Sequence, residues 1–285
     1  MTPETRTAIH SIAFPPTLAS TSSTSTGLKL AFISTDGTVH IYECREPQDL
    51  THWIAVDVIH VLPNPPPRES EISFCLAFCP SRWGGEQLVV GAMDTVRVYR
   101  HNATGKFRAA EELSGHRGLV RDVSWAVSMG RSYHLVATAC KDGHVRIFKL
   151  SAQSGKLSVT NPQKSKATAG KRAGALSQGL GGADEILPGP SEDGKEEDGE
   201  KWDVQMVADF GDHKAEVWKV SWNATGTILS STGDDGKIRL WKCAINGEFQ
   251  LFSIIATPRS RSVHREDIRL LLMLTQRQGG SECGR

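Results

Sequence analysis

The stretch VSWNATGTILSSTGDDGKIRLW, residues 220–241, reads as a short strand, a second strand ending in an acidic tight turn, and a third strand closed by an aromatic. Its first strand is Val220-Ser221-Trp222, and the turn with the third strand is Asp235-Gly236-Lys237-Ile238-Arg239-Leu240-Trp241. Three other segments repeat it. First strands recur as Ile12-Ala13-Phe14, Leu76-Ala77-Phe78 and Val123-Ser124-Trp125. The turn and third strand recur as Asp36-Gly37-Thr38-Val39-His40-Ile41-Tyr42 and Asp142-Gly143-His144-Val145-Arg146-Ile147-Phe148, while the second copy departs with Asp94-Thr95-Val96-Arg97-Val98-Tyr99. Asp-Gly between alternating runs is a strong hairpin signal, and a type I′ turn with two residues at positive φ is the expectation. Val39, Ile41, Val145, Ile147, Ile238 and Leu240 then share one face of their strands.

Fourth strands are more weakly marked, at Trp53-Ile54-Ala55-Val56, Phe107-Arg108-Ala109-Ala110, Val204-Gln205-Met206-Val207 and Phe249-Gln250-Leu251-Phe252. Four short strands per unit, at a period of roughly 40 to 45 residues, describe the blade of a WD-repeat β-propeller, because a β-sandwich would not recur in this way. The expected fold is therefore all-β: an incomplete, open propeller of about four blades. The units run 1–58, 59–114, 115–211 and 212–255, followed by an irregular or disordered tail at 256–285.

Resemblance to the WD-repeat family implies a buried hydrogen-bond set: His116, Thr138 and Asp142 in the third unit, and His213, Ser231, Asp235 and Trp241 in the fourth. Phe148 stands where Trp would complete the third. An acidic turn residue accepts from an imidazole that in turn meets a hydroxyl, which satisfies polar groups inside a blade. On paper this is a Ser-His-Asp triad. Its recurrence once per blade favours a structural role, since a catalytic set occurs once.

Composition excludes several function classes. A net charge of +1 provides no field to hold a polyanion, so no direct nucleic-acid ligand is expected. No apolar run approaches the roughly 20 residues that cross a bilayer, so membrane association is expected only through partners. Six scattered cysteines and the polar Thr2-Pro3-Glu4-Thr5-Arg6 after Met1 suggest a reduced, intracellular chain. Cys75 and Cys79 share a strand face but lack a Cys-x-x-Cys or His cluster, so no metal is expected. The glycines of residues 174–182 neither follow a strand nor open a helix and lack Gly-Lys-Ser/Thr, so no phosphate loop is expected; most of the ten histidines fall at strand positions or blade-joining loops and none sits beside a nucleophile motif, so neither enzyme activity nor a cofactor is expected.

Residues 151–201 are rich in Ser, Gly, Lys and Glu, and read as a disordered insertion between the third and fourth strands of the third unit. The basic first half (Lys164, Lys166, Lys171, Arg172) and acidic second half (Glu192, Asp193, Glu196, Glu197, Asp198) read as a solvated loop, with a nuclear-import signal or phosphosite cluster as the alternative. Four blades do not close a ring, and open sheet edges invite strand addition from another chain. The abrupt start and patternless tail suggest a truncated or misjoined gene model, or a genuinely short isoform.

Three longer words are more specific: Gly118-Leu119-Val120-Arg121-Asp122-Val123-Ser124-Trp125, Gly130-Arg131-Ser132-Tyr133-His134-Leu135-Val136-Ala137-Thr138-Ala139-Cys140-Lys141-Asp142-Gly143, and His213-Lys214-Ala215-Glu216-Val217-Trp218-Lys219-Val220-Ser221-Trp222. They closely resemble the SEH family, the Sec-thirteen-homologue nucleoporins of the Y-shaped nuclear pore subcomplex. The likeness covers roughly residues 8–255 outside the insertion. It implies an open six-bladed propeller, here without its N-terminal blades, completed by a blade that a helical nucleoporin donates in trans. It implies other Y-subcomplex subunits as partners, support of mRNA export and protein transport, and residence at the nuclear pore and envelope. A further role in a SEA/GATOR-type complex that regulates TOR signalling at the vacuolar or lysosomal surface also follows from the resemblance. A Sec-thirteen-like vesicle-coat protein and a WD-repeat adaptor of a ubiquitin ligase are the alternatives.

Overall fold

A computed structural model describes residues 7–15, 28–46, 48–67, 69–80, 85–102, 105–152 and 202–256. Every regular element among them is a strand, and the strands form four antiparallel sheets of four. The first sheet is β1 (Ile9–Ala13), β2 (Leu28–Ser34), β3 (Thr38–Cys44) and β4 (Ile54–His60). The second is β5 (Phe74–Phe78), β6 (Gln87–Ala92), β7 (Thr95–His101) and β8 (Phe107–Glu112). The third is β9 (Val120–Trp125), β10 (Tyr133–Cys140), β11 (Val145–Ala152) and β12 (Trp202–Phe210), and the fourth β13 (Val217–Trp222), β14 (Ile228–Gly233), β15 (Lys237–Cys243) and β16 (Phe249–Ala256). First strands lie side by side in the order β1, β5, β9, β13, so the sheets follow one another as blades in an arc. Among the described residues the last sheet makes no comparable junction with the first, and the propeller is open.

The core lies between blades because each strand alternates and each blade must bury both faces. Ile33, Val39 and Ile41 of the first blade meet Leu76, Leu88 and Val90 of the second. Val89, Val96 and Val98 from the opposite face of that second blade meet Val123, Trp125 and Phe148 of the third. Ala137, Val145 and Ile147 then meet Val217, Leu229 and Trp241 of the fourth. The third-strand aromatic points back toward the preceding blade, with Trp241 stacked on Phe210 at 4.0 Å between ring centroids.

The turns differ from the expected type I′. Gly37, Gly143 and Gly236 have φ of 81°, 85° and 67°, while among the described residues Met93 and Lys214 are the non-glycine residues at positive φ, so the preceding aspartates are not. Each glycine N–H instead closes a four-residue turn, on the carbonyls of Ser34, Cys140 and Gly233. This is a turn followed by a left-handed glycine, which a longer hairpin loop uses. The aspartate side chain is the reason: Oδ1 of Asp36, Asp142 and Asp235 accepts the N–H two residues on, at 2.9, 3.0 and 3.2 Å, which holds Asp at negative φ. The second hairpin lacks Gly and turns tightly between paired Ala92 and Thr95, with Met93 at φ 59°.

In every blade the outer strand carries a bulge at or beside the third-strand aromatic, Tyr42, Tyr99, Phe148 or Trp241. Such bulges twist the outer strands and blunt their edges. The third strand runs through Ser151 and Ala152, two residues into the expected insertion, and Ala152 pairs with Trp202. The rest of that insertion, and the tail beyond Ala256, lie outside the described residues.

Candidate functional site

The fourth blade brings His213, Ser231, Asp235 and Trp241 together. Ser231 and Trp241 face the third blade from neighbouring strands, and His213 comes from the connection entering the blade. His213 Nδ1 lies 2.9 Å from Asp235 Oδ1 and Nε2 lies 2.8 Å from Ser231 Oγ, while Trp241 Nε1 donates to the same Oγ at 2.9 Å. With the proton on Nδ1 the set runs in one direction, indole to hydroxyl, hydroxyl to Nε2, Nδ1–H to carboxylate, and Arg239 Nη1 packs 2.7 Å from that same Nδ1. Burial, with the Arg239 charge beside it, lowers the His213 pKa and keeps the ring neutral. Burial alone would raise Asp235, but hydrogen bonds from Arg239 and His213 hold it below its ordinary value. Ser231 is fully buried. A substrate has no route to that hydroxyl, so the arrangement braces a hairpin rather than activating a nucleophile.

The third blade divides its set. His116 Nε2 meets Thr138 Oγ1 at 2.9 Å, but Asp142 makes no hydrogen bond to His116. Asp142 instead holds Arg146 at 2.7 Å and accepts the Arg117 N–H at 3.2 Å. Burial and the Arg146 charge push His116 down to about 4, and the Arg146 bond outweighs burial to bring Asp142 to about 2. Phe148 packs beside His116 and offers no N–H to Thr138.

Sequence reasoning missed the arginines. Arg146 pairs across the ladder with Thr138 and Arg239 with Ser231, each buried and bonded to the turn aspartate four residues before it. The repeated Asp-Gly-x-(Val/Ile)-Arg was the available signal. The first blade fills the same register with His40 opposite Phe32, stacked at 5.1 Å, and its Asp36 is held by Ser34 and Thr7. Nothing in the Asp-Gly pattern marks Thr7.

A second missed group joins blades to each other. Buried Asp122 accepts the Val220 N–H at 3.0 Å and Lys219 Nζ at 2.9 Å; burial, the largest influence, leaves its pKa raised. Asp57 likewise accepts the Phe107 N–H at 2.7 Å. Arg121 bridges Glu71 and Glu216 and lies 4.5 Å from the Trp218 ring centre, linking the segment before β5 to the fourth blade. His134 stacks on Trp202 at 4.7 Å and receives the Trp125 indole N–H at 3.3 Å; burial and the Arg100 charge lower it to about 4.

Both cysteines singled out from the sequence pack in the core between the second and third blades. Cys75 Sγ faces the Gly91 and Val120 carbonyls, and burial pushes its thiol up; Cys79 lies 3.7 Å from His134. Among the described residues no group of three or more His, Cys, Asp or Glu side chains is placed to hold a metal.

The WD domain, G-beta repeat, matches residues 108–149 and 204–242. Each match begins on the outer strand of one blade and ends on the third strand of the next, so the sequence repeat is offset from the blade. The chain is 38% identical over 255 residues to Nucleoporin SEH1 of Saccharomyces cerevisiae, covering 88% of this chain and 69% of that protein. It is 37% identical over 230 residues to Nucleoporin seh1 of Schizosaccharomyces pombe, covering 81% and 61%. Against Nucleoporin SEH1 of Homo sapiens it is 32% identical over 254 residues, 84% of this chain but 54% of that protein. These relatives are structural repeat proteins and not enzymes. On the budding-yeast match the chain belongs to the Nucleoporin SEH1 family of WD-repeat proteins.

Proposed function

We propose that the chain is a structural subunit of the nuclear pore's Y-shaped outer-ring subcomplex, held at the nuclear envelope by protein contacts rather than by lipid or nucleic acid. The observation that carries this reading is the open arc. Alternation sets Ile238 and Leu240 on the face of the fourth blade turned away from the third, where the corresponding Val39, Ile41, Val145 and Ile147 meet a following blade. A blade donated in trans by a helical nucleoporin would cover such a surface by β-augmentation. Other Y-subcomplex subunits are then second-tier partners, with support of mRNA export and protein transport an indirect consequence. The same surface serves a SEA/GATOR-type complex at the vacuolar or lysosomal membrane that regulates TOR signalling.

In this reading the assembling units are 1–58, 59–114, 115–211 and 212–255, and His116, Thr138, Asp142, His213, Ser231, Asp235 and Trp241 brace blades rather than bind ligand. Co-expression with the helical nucleoporin from the same organism, followed by size-exclusion chromatography, tests it. Co-elution is expected, and a soluble chain that elutes apart from that partner would overturn it.

A further inference from the structure

The connection between the first and second blades is longer than its fellows. Thirteen residues separate β4 from β5, against seven between β8 and β9 and six between β12 and β13. The excess is proline: Pro63-Asn64-Pro65-Pro66-Pro67-Arg68. Pro63, Asn64, Pro65 and Pro67 are exposed and Pro66 half-buried, and none of the four prolines joins the core cluster beneath. Packing therefore does not account for them.

The arch is fixed at both ends. Val61 N–H bonds the Gly37 carbonyl at 3.0 Å, and Leu62 lies directly over Gly37. At the other end Ser70 closes on the Pro67 carbonyl through its N–H at 3.1 Å and its hydroxyl at 2.7 Å, and Glu71 is held by Arg121 and Lys141. Between these anchors the chain bends through residues 62–64 and runs on through 65–67. Proline rings fix φ at each Pro, and Asn64, Pro65 and Pro66 each precede a proline, which restricts them to extended or polyproline conformations. Among the described residues the Pro65 and Pro66 carbonyls accept no hydrogen bond. Pro63 and Pro65 also border a hollow of about 730 Å³ with Asp36, His60, Leu62 and Arg97, which leaves room for a groove wall on that side.

An exposed proline run whose Pro65 and Pro66 carbonyls are unengaged among the described residues is the chemistry that aromatic-lined grooves read, at low ordering cost because the ligand is already extended. We propose that residues 63–67 are a docking peptide for a polyproline-reading domain of the SH3 or WW type, whose aromatic ridges take Pro65 to Pro67. This surface is separate from the open ends of the arc, so a partner here and a donated blade there bind at once.

The test presents the full 285-residue chain to an array of purified SH3 and WW domains, with titration calorimetry on the strongest binder. Binding is expected from at least one domain, competed by a synthetic peptide of residues 61–70. The double variant Pro65→Ala/Pro66→Ala is expected to weaken it at least about tenfold and Pro65→Ala alone severalfold, both with unchanged melting. If the double variant melts early, Pro65→Ala carries the test, because Pro65 is exposed and lies outside the arch's anchors. No binding across the array, or binding indifferent to Pro65→Ala and to the competing peptide, overturns the proposal.

Discussion

Replacing Asp235 with Ala removes the acceptor that Arg239 and His213 share. The His213 side chain is fully buried, and those of Arg239 and Asp235 are 6% and 13% exposed. A buried charge left without its partner costs about 3–5 kcal/mol, and a hydrogen bond to a charged group contributes about 1.5–3. Arg239 keeps its bond to the Asp212 carbonyl, and the Asp235 edge is partly wetted, so the lower end applies: about 3 kcal/mol. Blades open one at a time in repeat architectures, so the readout is native-state hydrogen exchange at β14 and β15 amides rather than a single melting point. An Arg239→Met background sharpens the reasoning. Without the guanidinium, Asp235→Ala loses the His213 and Lys237 bonds alone, so the two changes should couple by about 2 kcal/mol. A loss of protection under about 0.5 kcal/mol in β14 and β15, or a coupling near zero, would refute the account of this set.

Acid should loosen the third blade. His116 and His134 are held near 4 against an ordinary 6.5, so the unfolded chain takes up protons first; their contribution is complete above about pH 6.5 and is lost as pH falls toward 4. The loss is up to about 3 kcal/mol per site, read as a falling urea midpoint between pH 7 and 4.5 that flattens in His134→Gln. Asp122→Ala strands the buried Val220 N–H and should cost about 2 kcal/mol in thermal unfolding, whereas Asp122→Asn keeps an acceptor and should cost less than half as much. Alanine at Gly226 would set Cβ 2.4 Å from the Val127 carbonyl at φ 63°, while Gly247, at φ 86°, faces open space. Gly226→Ala should therefore cost well over 2 kcal/mol and Gly247→Ala about 1, compared by urea denaturation.

Strand alternation and the Asp-Gly words make the blades legible because both arise from local rules: a period of two, and a turn that needs one left-handed glycine. The turn type was not legible, since Asp36, Asp142 and Asp235 choose it by bonding their own backbone, which a dipeptide rule ignores. Arg146 and Arg239 were written in the repeat but look like solvated strand residues until a second sheet covers them. Asp122, Asp57 and Arg121 act between blades, and their partners are set by how sheets stack rather than by any spacing along the chain. The third blade shows that a matching word does not ensure a matching network: His116, Thr138 and Asp142 stand at the repeat's positions, yet Arg146 takes the carboxylate that His213 shares in the fourth.

The pairing of Ala152 with Trp202 has a consequence for how this gene can change. Two residues opposite one another on a ladder stand about 5 Å apart, so whatever sequence lies between them leaves and re-enters through one narrow doorway. Closing a longer loop costs only about 0.6 kcal/mol per doubling of its length. Trp202 is secured on the far side by the His134 stack and by its N–H on Glu111 at 2.9 Å. The ladder therefore fixes the spacing of the two ends whatever length of chain joins them, which makes this point in the chain a natural port for acquiring new sequence.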